Sequence, residues 1–265
     1  MDYKDICLKI KDVVAIAAEY VDHQHTNRGN LNIETKGEHN FVTEVDKQTE
    51  RILVERLAAL VPESGFIAEE GTSNKRGDVY NWIIDPLDGT TNFIHGVAPF
   101  AISVALTENG ELVAGVVYEF GFKESFYSWK GGGAWLNGNP VSVSNVTTLK
   151  ESLVATGFPY TNFVYLEEYM ETMNWFMKNS HGLRRLGSAA TDIVYVACGR
   201  YDGFYEYGLN PWDVAAGALI LTEAGGKVSD FNGENNFLFG EQIICSNGHT
   251  HKEFVKTVKD IMSPS

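Results

Sequence analysis

Residues 82–93 read Trp82-Ile83-Ile84-Asp85-Pro86-Leu87-Asp88-Gly89-Thr90-Thr91-Asn92-Phe93. The apolar start is typical of a buried strand, and two carboxylates three residues apart follow it. Pro86 fixes its own φ and favours an extended Asp85, so a turn here can direct both carboxylates and the Leu87 carbonyl to one side. The stretch therefore predicts an all-oxygen site at the end of a buried strand.

Such a cluster of oxygens suits a hard divalent cation. Mg²⁺ prefers one or two carboxylates together with water and substrate phosphate. Two acids at the end of an apolar strand repel each other unless positive charge lies between them, so we favour metal binding by Asp85 and Asp88 over a plain acidic turn. The backbone N–H groups of Gly89 and Thr90 can hold a phosphate beside the metal. The segment thus predicts a magnesium site that processes phosphate.

The composition is that of an ordinary globular protein. The chain has 265 residues, 44% of them hydrophobic, enough for one large domain or two small ones. Its formal net charge of -14 argues against a surface for polyanions, so neither nucleic acid nor an acidic membrane is expected as main partner. The cysteines, Cys7, Cys198 and Cys245, are widely separated, which suits reduced thiols better than a disulfide framework or a zinc site. Charges interrupt the N-terminal segment, which predicts neither a signal peptide nor a membrane span. We expect a cytoplasmic protein.

Hydrophobic periodicity changes repeatedly along the chain. Helices are predicted at four places: residues 6–21, residues 43–60 with Thr43 as a cap, residues 165–177, and after Gly187. A further helix is opened by Asn210-Pro211. Strands are predicted at residues 66–67, 82–84, 101–107, 112–119, 153–156 and 203–206, with more beside the glycine turns of 131–138. Asn109-Gly110 is a hairpin signal.

This alternation predicts two mixed α and β halves in one compact unit. Residues 1–145 would carry most of the metal ligands, and residues 146–265 would carry Asp213 and the substrate wall. The site would then lie at the junction of the halves, which is a usual place for a ligand.

Four carboxylates are candidate ligands: Glu69, Asp85, Asp88 and Asp213. Two of them have simpler explanations as well. The helix dipole favours an acid such as Asp213 in a first helical turn without any metal, and Glu69 beside Glu70 fits a solvated acidic turn.

Asp46 and Thr90 are candidates for proton transfer, and both again have simpler explanations. Asp46 stands at the capping-box position after Thr43, and Thr90 fits a plain turn hydroxyl. Beside a metal, however, Thr90 can accept or relay a proton that Asp46 or Glu69 takes onward.

These motifs closely resemble the inositol monophosphatase family, within the lithium-sensitive, magnesium-dependent phosphatases. The resemblance covers nearly the whole chain. It rests on Phe41-Val42-Thr43-Glu44-Val45-Asp46, Ala68-Glu69-Glu70, residues 82–93, Leu186-Gly187-Ser188-Ala189-Ala190 and Trp212-Asp213-Val214-Ala215-Ala216-Gly217. It implies a layered α-β-α-β-α sandwich, of mixed α+β or α/β class as in the inositol monophosphatase and fructose-1,6-bisphosphatase type, and usually a homodimer.

The resemblance also implies a ligand set for two or three Mg²⁺ ions. Glu69, Asp85 and the Leu87 carbonyl would hold one ion. Asp85, Asp88 and Asp213 would hold a second, and a third, weaker ion would rest on Glu69 through water.

Substrate contacts follow from the same resemblance. Gly89 and Thr90 would bind phosphate by their backbone N–H groups, and Thr90 with Asp46 would orient or deprotonate the attacking water. Glu206 and the Ala189 backbone would meet the polyol hydroxyls. Asp88 and Asp213 are substrate contacts as well as metal ligands.

The expected activity is magnesium-dependent hydrolysis of myo-inositol 1-phosphate and related polyol or sugar phosphates, inhibited by lithium. Fructose 1,6-bisphosphate, 3'-phosphoadenosine 5'-phosphate and histidinol phosphate are alternative substrates, because relatives share the metal core and differ at the leaving-group wall. A regulatory binding module with secondary phosphatase activity is a lower alternative.

Arg184 and Arg185 fit phosphate binding, an ion pair or a subunit contact equally well. Asn40 stands where family members often carry Asp, which leaves the preceding Lys36 loop without an assigned role.

Overall fold

Helices and strands alternate along the chain much as the periodicities predict. The computed structural model describes residues 1–27, 33–37, 40–73, 75–160 and 162–262, without the side chains of 33–37 and 40–43. The helices are α1 (Tyr3–Thr26), α2 (Glu44–Leu60), α3 (Thr90–His95), α4 (Leu166–Asn179), α5 (Ala189–Ala197), α6 (Pro211–Glu223) and α7 (His251–Met262). The strands are β1 (Ile33–Gly37), β2 (Asn40–Thr43), β3 (Gly65–Ala68), β4 (Tyr80–Asp88), β5 (Ala101–Glu108), β6 (Glu111–Glu119), β7 (Glu124–Trp129), β8 (Ala134–Leu136), β9 (Asn139–Val141), β10 (Leu153–Thr156), β11 (Gly182–Arg184), β12 (Gly203–Tyr207), β13 (Lys227–Ser229) and β14 (Gln242–Ser246).

A seven-stranded sheet, in the order β3-β4-β5-β6-β7-β8-β9, is covered on both faces. Trp82 and Ile84 point from β4 into the core shared with α1 and α2, where Ile10 and Leu53 pack. Ile83 points to the opposite face, into the core shared with α5 and α6. Because successive strand residues alternate between faces and both faces are buried, β4 reads as an apolar run.

The helices α5 and α6 form the central layer between this sheet and a second one. The second sheet has five strands in the order β11-β10-β12-β14-β13. Ile193 of α5 and Ala216 of α6 share one core with Ile83 and Phe204, which belong to the two different sheets. A Cβ added to Gly115 of β6 would lie 3.1 Å from the Cα of Ala216, so α6 packs closely on the first sheet. The two larger sheets therefore share a continuous core with α5 and α6.

An aromatic cluster fills the far side of the second sheet, beneath α4 and α7. Phe176 of α4 lies 5.1 Å from Tyr205 of β12 and 5.0 Å from Phe254 of α7, measured between ring centroids. The layer order is thus α1 and α2, the first sheet, α5 and α6, the second sheet, then α4 and α7. The layered α-β-α-β-α fold expected from the resemblance is confirmed.

Several local predictions are refined by the structure. Asn109 and Gly110 both have positive φ, 51° and 83°, in the hairpin between β5 and β6, as a type I′ turn requires. The paired aspartates were expected in a turn after the strand, but β4 continues through Asp88. The helices α3 and α7 and the strands β1, β2, β11, β13 and β14 were not predicted from the sequence. The helix α2 begins one residue after Thr43, close to its predicted start. The capping side chain of Thr43 lies outside the described residues.

Two findings concern the chain's wider setting. The three cysteines are free, with Cys7 and Cys245 buried. Among the helices in the described ranges, none combines the length and apolarity that crossing a bilayer requires.

Candidate active site

The carboxyl ends of two parallel strands bring the first two candidate ligands together. Ala68 of β3 pairs with Ile84 of β4, so Glu69 and Asp85 follow side by side at the same sheet edge. The Glu69 N–H continues the ladder with a hydrogen bond of 3.3 Å to the Ile84 carbonyl. Asp85 is 2% exposed, whereas Glu69 is half-buried at the mouth of a cavity.

A β-bulge brings Asp85 and Asp88 to one side of β4. On the neighbouring strand, Asp85 pairs with Ser103 and Asp88 with Ala101, so three steps along β4 match two along β5. Residues three apart on a regular strand point to opposite faces, and the extra residue of a bulge corrects this. The Leu87 N–H within the bulge donates to Asp85 Oδ1 at 2.9 Å. Both carboxylates therefore face the same cavity.

Asp88 connects β4 to the N-terminus of α5. Its Oδ2 accepts a hydrogen bond from the Ser188 hydroxyl at 2.6 Å and from the Ala190 N–H at 2.8 Å, both at the N-terminus of α5. Burial raises the pKa of Asp88 to about 6, although these hydrogen bonds favour its ionised form. Ala189, predicted to meet the substrate, lies beside this contact and lines the cavity.

Asp213 serves helix capping and the carboxylate cluster at once. It is the third residue of α6, and its Oδ2 accepts the Asn210 N–H at 2.7 Å in a capping box. Its carboxylate also converges with those of Asp85 and Asp88: ligand oxygens of the three residues lie within 4.8 Å of one another. Burial, and then the charge of Asp88, raises the pKa of Asp213 to about 7. Asp213 therefore both caps α6 and belongs to the carboxylate cluster.

The electrostatics of the cluster fit a bound cation. Burial raises the pKa of Asp85 well above its usual value, and the charges of Glu69, Asp88 and Asp213 raise it further. Three carboxylates that oppose the ionisation of a buried fourth one indicate that positive charge belongs among them. The atoms that they offer as metal ligands are all carboxylate oxygens, which Mg²⁺ prefers. Asp85, Asp88 and Asp213 form the tight triad, and Glu69 stands next to Asp85.

Asp46 and Thr90, predicted to act as a pair, are in direct contact. Asp46 is buried as the third residue of α2, and its Oδ1 accepts a hydrogen bond from Thr90 Oγ1 at 3.0 Å. The Thr90 hydroxyl also lies 3.0 Å from the Leu87 carbonyl oxygen. Thr90 begins α3 directly after Gly89, whose φ of 87° suits glycine. The hydroxyl is thus held between an acceptor carboxylate and the bulge.

The cavity has a volume of about 170 Å³, and Glu206 forms part of its wall opposite β4. The Glu206 side chain comes from β12 and is 5% exposed, and burial raises its pKa well above the usual value. The Gly157 backbone lies against it: a Cβ on Gly157 would be 1.9 Å from Glu206 Oε1. Gly157 therefore leaves the space that the carboxylate occupies.

The structure separates Arg184 from Arg185. Arg184 is exposed and donates to its neighbour's carbonyl, whereas Arg185 lines the cavity. The Arg185 guanidinium carbon lies 4.7 Å from the ring centroid of Phe158, and its Nη2 donates to the Tyr160 hydroxyl at 2.8 Å. Among the cavity-lining residues that the structure describes, Arg185 is the single lysine or arginine.

Sequence reasoning missed two supporting residues. Ser188 holds Asp88, as described above. Glu50 of α2 is fully buried and accepts hydrogen bonds from the Glu70 and Thr72 N–H groups. A signal for Glu50 was present, since it shares the apolar face of α2 with Leu53 and Leu57 at helical spacing. The side chains of Lys36 and Asn40 lie outside the described residues.

Comparison with known proteins agrees with this architecture. The sequence pattern of the inositol monophosphatase family matches residues 6–263. Nus factor SuhB of Pseudomonas aeruginosa is 40% identical over 240 residues, 89% of each chain. An inositol-1-monophosphatase of Rhizobium meliloti is 40% identical, with 87% of each chain covered. A fructose-1,6-bisphosphatase/inositol-1-monophosphatase of Thermotoga maritima is 42% identical, covering 87% of this chain and 88% of that protein.

Solved structures give the same result. The extragenic suppressor protein suhB of Bartonella henselae superposes with a TM-score of 0.92 at 35% identity, covering 96% of this chain and 98% of that one. An IMPase of Thermotoga maritima has a TM-score of 0.87 at 38% identity, with 98% of each chain covered.

The layered fold, with an acidic cluster able to bind metal at the junction of its two larger sheets, is that of a phosphatase. The chain belongs to the inositol monophosphatase family.

Proposed function

We propose that this phosphatase is a magnesium-dependent phosphomonoesterase that hydrolyses myo-inositol 1-phosphate, and related polyol or sugar phosphates, to the alcohol and phosphate. The observation that carries the proposal is the convergence of Asp85, Asp88 and Asp213 within 4.8 Å, beside Glu69, on one cavity. Relatives named inositol-1-monophosphatase support the choice of substrate.

The ligand assignment uses this cluster for two or three Mg²⁺ ions. Glu69, Asp85 and the Leu87 carbonyl would hold one, and Asp85, Asp88 and Asp213 a second, with a third on Glu69 through water. When bound, Mg²⁺ would neutralise the phosphate and stabilise the negative charge that develops on its oxygens.

The protein's own groups would position the substrate and move the proton. Gly89 and Thr90 would hold the phosphate by their backbone N–H groups. The Thr90 hydroxyl would orient the attacking water and pass its proton towards Asp46, whose Oδ1 it contacts at 3.0 Å. Glu206 and the Ala189 backbone would bind hydroxyls of the leaving alcohol. No covalent phosphoenzyme is required, because position and charge carry the reaction.

Arg185 favours a second candidate substrate within the same reaction. A guanidinium beside Phe158 and Tyr160 in a cavity otherwise lined by acidic and neutral groups suits a leaving group with its own phosphate, such as fructose 1,6-bisphosphate. The 42% identical relative named for both activities supports it.

The two substrates can be separated with a matched pair of variants. Arg185→Gln is expected to lower kcat/KM for fructose 1,6-bisphosphate about tenfold more than for myo-inositol 1-phosphate, as loss of one charge-assisted contact implies. Arg184→Gln, the exposed neighbour, serves as the control. Equal losses on both substrates would reject a role for Arg185 in selecting the second phosphate.

Lithium inhibition and a homodimer are proposed from the family resemblance. A cytoplasmic location is proposed from the separated cysteines and the charged N-terminal segment, and the division at residues 1–145 and 146–265 from the alternation of helical and strand patterns. Exposed apolar side chains at Phe163, Val164 and Met170 support a subunit contact. Light scattering of the purified protein tests the dimer, and a single-chain mass would reject it.

A regulatory binding role is the lower alternative, and relatives named Nus factor SuhB support it. Capture of a stable macromolecular partner by a catalytically inactive Asp85→Asn protein would favour this alternative.

The test of the proposed activity is phosphate release from a panel of substrates. The panel contains myo-inositol 1-phosphate, fructose 1,6-bisphosphate, 3'-phosphoadenosine 5'-phosphate and histidinol phosphate, each with Mg²⁺ and with EDTA. Fastest magnesium-dependent release from myo-inositol 1-phosphate supports the proposal. A much faster rate on another compound of the panel would make that compound the preferred substrate instead. Release that survives EDTA would reject the role of the metal.

A further inference from the structure

A buried carboxylate on α2 clamps the loop that carries Glu69. Glu50 is 0% exposed, and each of its oxygens accepts one backbone hydrogen bond: Oε2 from the Glu70 N–H and Oε1 from the Thr72 N–H, both at 2.7 Å. The donors are the first and third residues after Glu69. Gly71 lies between them with a φ of 69°, which suits glycine.

These two hydrogen bonds are strong and well anchored. Both hydrogen bonds are short, and burying a carboxyl group is costly unless its oxygens are satisfied. The anchor is α2, which packs Leu53 and Leu57 in the core beneath the first sheet. The loop after β3 is therefore fixed to a helix as well as to β4.

The same face of α2 reaches the other side of the site. Asp46 stands one helical turn before Glu50, and residues four apart lie on one helix face. Asp46 accepts the Thr90 hydroxyl at 3.0 Å, while Glu50 holds the loop of Glu69. One rigid helix thus sets the spacing between the Thr90 hydroxyl and the Glu69 backbone.

We propose that Glu50 is a positioning residue for the Glu69 carboxylate, and that it acts on metal affinity by fixing the 69–72 loop. The inference rests on the proposed function in one respect, since it takes Glu69 to be a Mg²⁺ ligand. Partners that orient metal ligands typically contribute 10–100-fold to metal affinity.

The first experiment measures Mg²⁺ binding by calorimetry on the whole, metal-free protein. Glu50→Gln keeps the size of the side chain but presents an N–H group to one of the loop N–H donors, so one hydrogen bond is lost. We expect Mg²⁺ affinity to fall about tenfold. Glu55→Gln removes one charge from the exposed face of the same helix and should leave the affinity unchanged. Equal affinity of the Glu50→Gln and unsubstituted proteins would overturn the role of Glu50.

A double-variant cycle separates positioning from a general loss of structure or charge. If Glu50 acts through Glu69, the Glu69→Gln protein and the Glu50→Gln/Glu69→Gln protein bind Mg²⁺ equally, because the group to be positioned is already gone. Additive losses would overturn the inference. Absence of Mg²⁺ binding by the unsubstituted protein is a distinct result, since it would contradict the proposed function itself.

Amide hydrogen exchange of the unsubstituted protein provides a test that needs no variant. The Glu70 and Thr72 amides are expected to exchange slowly for a loop, with protection comparable to the β4 ladder. Rapid exchange at both positions would overturn the clamp.

Discussion

A methyl group added at Gly157 should disable the wall formed by Glu206 while leaving the carboxylate cluster intact. The Cβ of Gly157→Ala would lie 1.9 Å from Glu206 Oε1 and 2.0 Å from its Cδ, whereas ordinary contacts begin at 3.4 Å. Either the carboxylate or the loop must therefore move by roughly 1.5 Å to restore a normal contact. Glu206 is buried and comes from a central strand, so it has little room to yield.

A displacement of about 1 Å in a positioning group can lower the rate about 10²-fold. We expect kcat/KM of Gly157→Ala on myo-inositol 1-phosphate to fall by about that factor. Mg²⁺ affinity, measured by calorimetry, should stay within about twofold of that of the unsubstituted protein, because the substitution does not touch the proposed metal ligands. Gly182→Ala is the control, since its nearest contact is 3.3 Å to a flexible arginine.

The effects of substitutions at Gly157 and Glu206 should also be coupled. In a Glu206→Ala background the overlap disappears, so Gly157→Ala should cause no further loss. Full activity of Gly157→Ala, or an equal loss in both backgrounds, would refute the argument from close approach.

Two further predictions concern Thr90 and Asp192. Thr90→Val removes the hydroxyl held by Asp46, so kcat should fall by about 10²–10⁴ while Thr90→Ser retains activity. Equal rates of the two variants would reject a hydroxyl role. Burial raises the pKa of Asp192 well above its usual value, and its Oδ1 has no hydrogen-bond partner among the described residues. The folded protein therefore binds this proton more tightly than the unfolded chain, and stability falls as pH rises above the unfolded pKa of about 4. Asp192→Asn should thus melt at a higher temperature than the unsubstituted protein at pH 8, with a difference that shrinks towards pH 4. A difference independent of pH would contradict this assignment.

The sequence located the centre of the site because its signals are local. An apolar run, a proline and a glycine around Asp85 and Asp88 suffice to predict a strand end with two acids. The placement of both carboxylates on one side of the strand could not be predicted from the same residues. Three-residue spacing places them on opposite faces of a regular strand, and the bulge that corrects this is defined by pairing with β5.

Supporting residues escaped prediction for a related reason. Glu50 and Ser188 act through contacts with distant segments, at residues 70–72 and at Asp88 respectively. A single sequence does not specify such contacts. The short strands β11 and β13 likewise have three residues each, too few for a periodic pattern, and are defined by their neighbours in the second sheet.

The carboxylate cluster is the central element of this account, and Asp85 is its buried member between Glu69 and the other two acids. The most direct measurement is phosphate release from myo-inositol 1-phosphate by the unsubstituted and Asp85→Asn proteins, each with Mg²⁺ and with EDTA. We expect release by the unsubstituted protein only when Mg²⁺ is present, and none above background from Asp85→Asn. Release by Asp85→Asn at the unsubstituted rate, or release undiminished by EDTA, would contradict it.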